Sequence, residues 1–337
     1  MGGPPKGRRR EAAPRRFVYG PVPSRRLGFS LGVDILPFKT CSLDCIYCQL
    51  GPTGRATVRR RAYFGVRQVL AQVRGVLRSG RRIDHITFSG SGEPTLNRNL
   101  GRLIRGIKRM TDLPVAVLTN GTLLGRAEVR ADLRAADVVV PSLDAATTTL
   151  FRAVNRPHGS LDAGRMIDGL VRFRKEFPGR IWLEVMLVRG VNDSPAHLRA
   201  LKEAIAAIRP DRVQLNTVVR PPAEASARSL SPRELGRIAR ALGAGTEVVA
   251  DFGPRRVAAG KADPQEAILA MVRRRPVTAE DIAVSLAAHR DEVIKAVSHL
   301  LAAGRIRGVR HGRKTFYEPA RERSGPRAAG LYFRRGV

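Results

Sequence analysis

Three cysteines, the only ones in a chain of 337 residues, fall together as Cys41, Cys45 and Cys48 in the run KTCSLDCIYCQLG. Thiols spaced this closely suggest a metal or iron-sulfur centre. A cubic [4Fe-4S] cluster has four irons to ligate, so three thiolates leave one iron open to an exogenous ligand. A disulfide framework fits poorly, because the count is odd, the chain long and no secretory leader visible. Zinc triplets usually begin from C-x-x-C and recruit a nearby fourth ligand, whereas the next histidine downstream is His85. A structural zinc or buried free thiols are the alternatives on spacing alone.

With Tyr47 just before the third cysteine, the triplet reads C-x-x-x-C-x-aromatic-C and resembles the hallmark of the radical S-adenosylmethionine (SAM) superfamily. The string Tyr19-Gly20-Pro21-Val22-Pro23-Ser24-Arg25-Arg26-Leu27-Gly28, followed by Gly32-Val33-Asp34, is similar to an iron-sulfur oxidoreductase subgroup related to the tRNA wyosine-synthase lineage. The resemblance implies that Cys41, Cys45 and Cys48 ligate a [4Fe-4S] cluster whose open iron chelates the methionine part of SAM. It implies also that an electron from an external flavodoxin- or ferredoxin-type donor cleaves SAM to a 5′-deoxyadenosyl radical, which abstracts hydrogen from a substrate. Wyosine-forming enzymes carry further cysteines for an additional cluster. None is left over here, so that tRNA reaction does not carry across.

The elements that must position these groups show in the apolar periodicity. Strand-like runs at 32–36, 83–88, 115–118, 138–140, 182–188 and 213–219 alternate with helical patterns such as Val66, Val69, Leu70, Val73 and Leu77. Six strands alternating with helices predict an α/β fold with a parallel sheet and right-handed crossovers. By resemblance this is the partial (β/α)6 barrel of radical SAM enzymes. Ligand groups in such folds gather at the carboxyl ends of the strands.

Each strand here ends in small or polar residues. Ser89-Gly90-Ser91-Gly92-Glu93-Pro94 resembles the family's GGE-type motif, implying close backbone approach at Gly92 and a bond from the SAM ammonium to Glu93. A glycine-rich turn with a capping glutamate explains the same residues. By the same resemblance Asn120 faces SAM or substrate, Ser142 and Asp144 face the ribose or carboxylate, and Asn192 lies in the segment lining the adenine, with Met186 near it. Local turn chemistry is the rival account for each. Gln214 and Asn216 lie at period two and share one face, and the arginines of Ser24-Arg25-Arg26 suit an anion.

Composition bounds the rest. A hydrophobic fraction of 43% supports a real core, and no stretch approaches the roughly 18–20 apolar residues of a membrane span, so the expected address is the cytoplasm. A formal charge of +32, from 61 basic against 29 acidic residues, invites a polyanion such as RNA. An arginine-rich coding bias would produce the same excess.

Near residue 253 the pattern changes. The expected domains are a disordered basic arm at 1–16, a radical SAM barrel at 17–255, a winged-helix-like domain at 262–319 and a flexible tail at 320–337. Within the third, helices at 264–274, 279–287 and 290–303 precede a basic hairpin carrying Arg305, Arg307, Arg310, Arg313 and Lys314, as a phosphate-contacting wing does. Arg290-Asp291-Glu292, opening the third helix, would repel a phosphate backbone. The leading function is a radical SAM enzyme acting on RNA. A radical SAM enzyme acting on a protein or small metabolite, or a cluster-containing DNA-binding regulator, is the alternative; the regulator needs no pocket at Gly92-Glu93-Pro94.

Overall fold

The computed structural model describes residues 15–24, 26–250, 264–286, 288, 290–312 and 314–320. The basic arm up to residue 14, Arg25, the linker around 253–256, Arg313 and the tail from 321 lie outside the described residues. The chain forms two compact units, Met1–Gly253 and Pro254–Val337.

The first unit is built on one eight-stranded sheet whose strands neighbour one another in chain order. It opens with a hairpin: β1 (Val18–Ser24) runs antiparallel to β2 (Gly28–Val33), with Val18 opposite Val33 and Ser24 opposite Gly28. From β2 onward every pairing is parallel, through β3 (His85–Phe88), β4 (Val115–Thr119), β5 (Val138–Pro141), β6 (Arg180–Leu187), β7 (Arg212–Thr217) and β8 (Thr246–Val248). The sheet does not close: β1 and β8 are its two ends. This is the partial barrel expected from the sequence, with seven parallel strands where six were predicted.

Two differences have a physical cause. β1 and β8 escape the periodicity argument because β1 contains two prolines and a glycine and β8 is only three residues long. The run at 32–36 is a strand only to Val33, because Asp34 turns out of the sheet. Its carboxylate accepts from the backbone N–H of Ser91 at 3.2 Å and from the Ser91 hydroxyl at 2.5 Å. Ile35 and Leu36 stay buried but belong to the loop that carries the cysteines.

Helices α1 (Val66–Leu77), α2 (Leu100–Lys108), α3 (Ala127–Leu133), α4 (Thr148–Asn155), α5 (Ala163–Glu176), α6 (Pro195–Ile208) and α7 (Pro232–Leu242) occupy the crossovers. Their apolar stripes join alternate strand residues in one core; Val69 and Val73 of α1 are fully buried in it with Ile86, Phe88, Val117 and Leu183. On the sheet's other face Ala116, Val138, Val140 and Trp182 pack with Leu27 in a small separate cluster. Strands buried on both faces read as unbroken apolar runs, as parallel strands do.

The second unit consists of α8 (Pro264–Val272), α9 (Ala279–Leu286), α10 (Arg290–Ala302) and an antiparallel hairpin, β9 (Ile306–His311) with β10 (Lys314–Pro319). Its own core centres on Ile268, Val272, Ile282, Val293, Val297 and Leu300. Arg307 in the hairpin is ion-paired with Glu318, while Arg305, Arg310 and Lys314 are exposed. Among the described residues no helix is long and apolar enough to cross a membrane.

Candidate active site at the cysteine loop

The loop carrying Cys41, Cys45 and Cys48 leaves the carboxyl end of β2 and is gripped from two sides. On one side Lys39 N–H donates to Ser91 O at 2.7 Å and Glu93 N–H donates to Thr40 O at 3.0 Å. The approach is so close that a Cβ on Gly92 would sit 2.0 Å from the Thr40 carbonyl oxygen. Only glycine tolerates that spacing. On the other side the end of α4 holds the loop: Asp44 N–H donates to Asn155 O and Ile46 N–H to Val154 O, each at 2.9 Å. Carbonyls in the last turn of a helix lack intrahelical partners, and here the cysteine loop supplies them.

The three thiols share one space. Burial pushes the Cys41 thiol up to about 12, with the Glu93 charge second. Cys45 is raised well above its ordinary value by burial, then by Asp144, Cys41 and Cys48. Two thiols raised in this way ionise together only beside a strongly cationic centre. Among the described residues no three histidine, cysteine or acidic side chains converge closely enough to share a single metal ion. The donor set, all sulfur, half-buried and held by one short loop, fits a thiolate-ligated iron-sulfur cluster.

Side chains predicted to meet the cofactor are brought to this loop, but most are engaged by the protein itself. Glu93 is 2% exposed. Its Oε1 accepts from Thr95 N–H at 3.0 Å and from the Thr95 and Thr119 hydroxyls at 2.6 Å, and its Oε2 accepts from Asn120 N–H at 2.6 Å. Burial raises this carboxyl above its ordinary value, against the pull of those bonds. A carboxylate offers about four acceptor positions; three of the four bonds fall on Oε1, and Oε2 takes only the one from Asn120. Glu93 ties the ends of β3 and β4 together.

The same holds further round the sheet. Asp144 accepts from Tyr47 Oη–H, from Asn155 Nδ2 at 2.7 Å and from Met186 N–H at 2.9 Å. Burial, the largest cause, pushes its carboxyl up to about 6. Asn192 is fully buried: its Oδ1 accepts from Val188 N–H at 2.7 Å, and its Nδ2 donates to the carbonyls of Asp144 at 2.8 Å and Met186 at 2.9 Å. An amide bonded this way fastens the end of β5 to the end of β6. Asn120 donates from Nδ2 to Ser42 Oγ at 2.9 Å and to Cys41 Sγ at 3.5 Å. Ser142 is half-buried at the end of β5.

Deeper in the barrel, Arg26 pairs with Glu184 at 3.0 Å, and Asn216 Nδ2 donates to Glu184 at 3.0 Å. Gln214 Oε1 accepts from Arg26 at 3.4 Å, while its Nε2 donates to Glu247 at 2.6 Å. The inward orientation expected for Gln214 and Asn216 therefore holds, and their partners are protein side chains. Sequence reasoning missed Lys39, Asn155, Thr119 and Glu184. Glu184 had a signal, a lone acid inside an apolar strand; Asn155, at a helix end far along the chain, had none.

The family model of the radical SAM superfamily matches residues 35–201. A UPF0026 protein of Methanocaldococcus jannaschii is 30% identical, over 89% of this chain and 95% of that protein. A protein of Brachyspira hyodysenteriae named GTPase Obg is 38% identical over 86% of this chain, which spans 43% of that protein's length. A dual-specificity RNA methyltransferase of Sorangium cellulosum is 29% identical over 59% of this chain and 51% of its own. With its cysteine loop at the carboxyl end of the first parallel strand, the chain belongs to the radical SAM superfamily, alongside the UPF0026 proteins, and is an enzyme with that superfamily's cofactors, a [4Fe-4S] cluster and S-adenosylmethionine.

Proposed function

We propose that this enzyme cleaves SAM reductively at a cluster held by Cys41, Cys45 and Cys48, and applies the resulting radical to an RNA substrate in the cytoplasm, taking its electron from a flavodoxin- or ferredoxin-type donor. The observation that carries the reading is the joint placement of the three thiols and the Ser91-Gly92 turn, whose backbones approach so closely that Gly92 has no room for a Cβ. When bound, the cluster and SAM together supply a one-electron reductant and a hydrogen-abstracting carbon radical.

The chain's own residues do the holding. Glu93 fixes the turn, the main chain of Ser91 and Gly92 lies against Lys39 and Thr40 just before the first thiol, and Ser142, after β5, is the residue assigned to the ribose. Asp144 and Asn192 brace the strand ends, and Tyr47 packs against the cluster of Ile46, Val188, Val218 and Ala227 while its hydroxyl is held by Asp144.

RNA is favoured by charge and by kinship. Arg59 and Arg98 are exposed and, with Arg126, line one depression, which Glu128 and Asp132 also border. Arg60, beneath them, is neutralised by Asp132. Guanidinium groups along such a rim suit phosphate, as do the exposed Arg305, Arg310 and Lys314 of the C-terminal hairpin. The similarity to an RNA methyltransferase over more than half of the chain points the same way.

The test has two arms. Anaerobically reconstituted protein given dithionite and SAM should release 5′-deoxyadenosine; no release removes the reductive cleavage. RNA crosslinked to the protein in cells, compared with RNA from a deletion strain, should differ in one modified nucleoside. Identical nucleoside profiles remove RNA as the substrate.

A further inference from the structure

Each of the three thiols has its own side-chain N–H donor, and the donors come from three separate parts of the barrel. Lys39 Nζ lies 3.1 Å from Cys48 Sγ, Asn155 Nδ2 lies 3.3 Å from Cys45 Sγ, and Asn120 Nδ2 lies 3.5 Å from Cys41 Sγ. We propose that Lys39, Asn120 and Asn155 form a shell that sets the reduction potential of the cluster, with Lys39 its strongest member. The proposal rests on the reading that the three cysteines hold a [4Fe-4S] cluster.

The geometry of Lys39 is specific. Its backbone sits at φ +55°, a left-handed conformation uncommon for a residue with a side chain. That conformation is held from both sides by the bond from Lys39 N–H to Ser91 O and by the Thr40–Gly92 bridge. The residue is half-buried. Among the described residues its Nζ has Cys48 Sγ as hydrogen-bond partner and no carboxylate to pair with.

Asn155 is equally constrained. Its carbonyl takes Asp44 N–H, its amide bridges Cys45 and Asp144, and the next residue, Arg156, is itself left-handed at φ +43°. Asn120 is set by its backbone bond to Glu93 and by Thr122, whose N–H and hydroxyl donate to its Oδ1 at 3.1 and 2.8 Å. All three donors are fixed by the fold rather than by the cysteine loop alone.

Hydrogen bonds to cluster sulfurs and nearby positive charge favour the more negative, reduced state, and so raise the potential. An ammonium contributes a full charge in a half-buried place, where screening is weak; the two amides contribute only dipoles. The reduced centre, one electron richer at the expense of the external donor, is the state the shell stabilises.

The test is an EPR-monitored redox titration of anaerobically reconstituted protein, with iron content measured on every sample. Lys39→Met should load iron normally but lower the reduced-to-oxidised ratio at fixed potential about tenfold, a fall of about 59 mV in midpoint for one electron. Lys39→Arg should recover most of that loss, and Asn155→Leu should shift the midpoint the same way by less. Should Lys39→Met lose iron, Lys39→Gln provides the same comparison. An unchanged midpoint in the lysine variants overturns the proposal, and if SAM affinity falls instead, Lys39 is a ligand contact. A wild-type chain that assembles no [4Fe-4S] cluster overturns the underlying cluster reading together with the shell, and iron content tells the two failures apart.

Discussion

The backbone N–H of Asn120 donates to Oε2 of Glu93 at 2.6 Å, joining two residues 27 positions apart at the ends of β4 and β3. Glu93 is thereby a brace for the strand ends that border the thiols. Glu93→Gln keeps the shape but must aim an amide N–H₂ at one of the four donors the carboxylate accepts. The expected cost is about 1–3 kcal/mol of folding stability, read from urea unfolding, with the cluster still loaded. A variant as stable as the wild type would show that those four bonds do not hold the site.

Gly92→Ala brings a methyl group against the Thr40 carbonyl, 2.0 Å from where its carbon must sit. The loop carrying the cysteines has to move outward, since backbone rather than a flexible side chain is in the way. Overpacking of this kind costs about 1–3 kcal/mol. Reconstituted Gly92→Ala should therefore bind less iron per chain than wild type, and full occupancy would count against the close approach.

Cys45→Ala removes one of the three ligands, and two thiolates do not secure a cube. Iron and acid-labile sulfide should fall to background after anaerobic reconstitution, while circular dichroism of the iron-free chain stays near wild type. Stoichiometric iron in that variant would contradict the ligand assignment.

The pH dependence of the iron-free chain should carry the mark of Asp144. Its folded carboxyl titrates at about 6 against an ordinary value of 3.8. Between those two values the folded chain holds a proton that the unfolded chain has released, so stability declines as pH rises through the window and levels off above it. The whole span corresponds to about 3 kcal/mol. Asp144→Asn should flatten this slope in urea unfolding measured from pH 4 to 7; an unaltered slope assigns it to other groups.

Arg26 and Glu184 pair deep in the barrel, at 14% and 17% side-chain exposure. Arg26→Met leaves a largely buried carboxylate with Asn216 still donating to it, at an expected cost of about 3 kcal/mol. Adding Glu184→Gln should return part of that loss, which a double-mutant cycle measures.

What the amino-acid order determined by itself was local: three thiols within eight positions, an aromatic beside the third, and strand and helix periodicities that place polar residues after each parallel strand. These follow from covalent spacing and from which face an apolar stripe must bury, so they survive without coordinates. The β1 hairpin and the three-residue β8 carry too little periodicity to declare themselves. The partners of the polar residues were decided only by the fold. Glu93, Asp144 and Asn192 occur in motifs that a ligand would explain, and the fold also gives them protein partners: Thr119 on Glu93, Tyr47 and Met186 on Asp144, and the Asp144 carbonyl on Asn192. Asn155 reaches Cys45 across 110 positions of sequence. Contacts of that span depend on strand register and on how a helix end docks against a loop, and neither is written in the spacing of neighbouring residues.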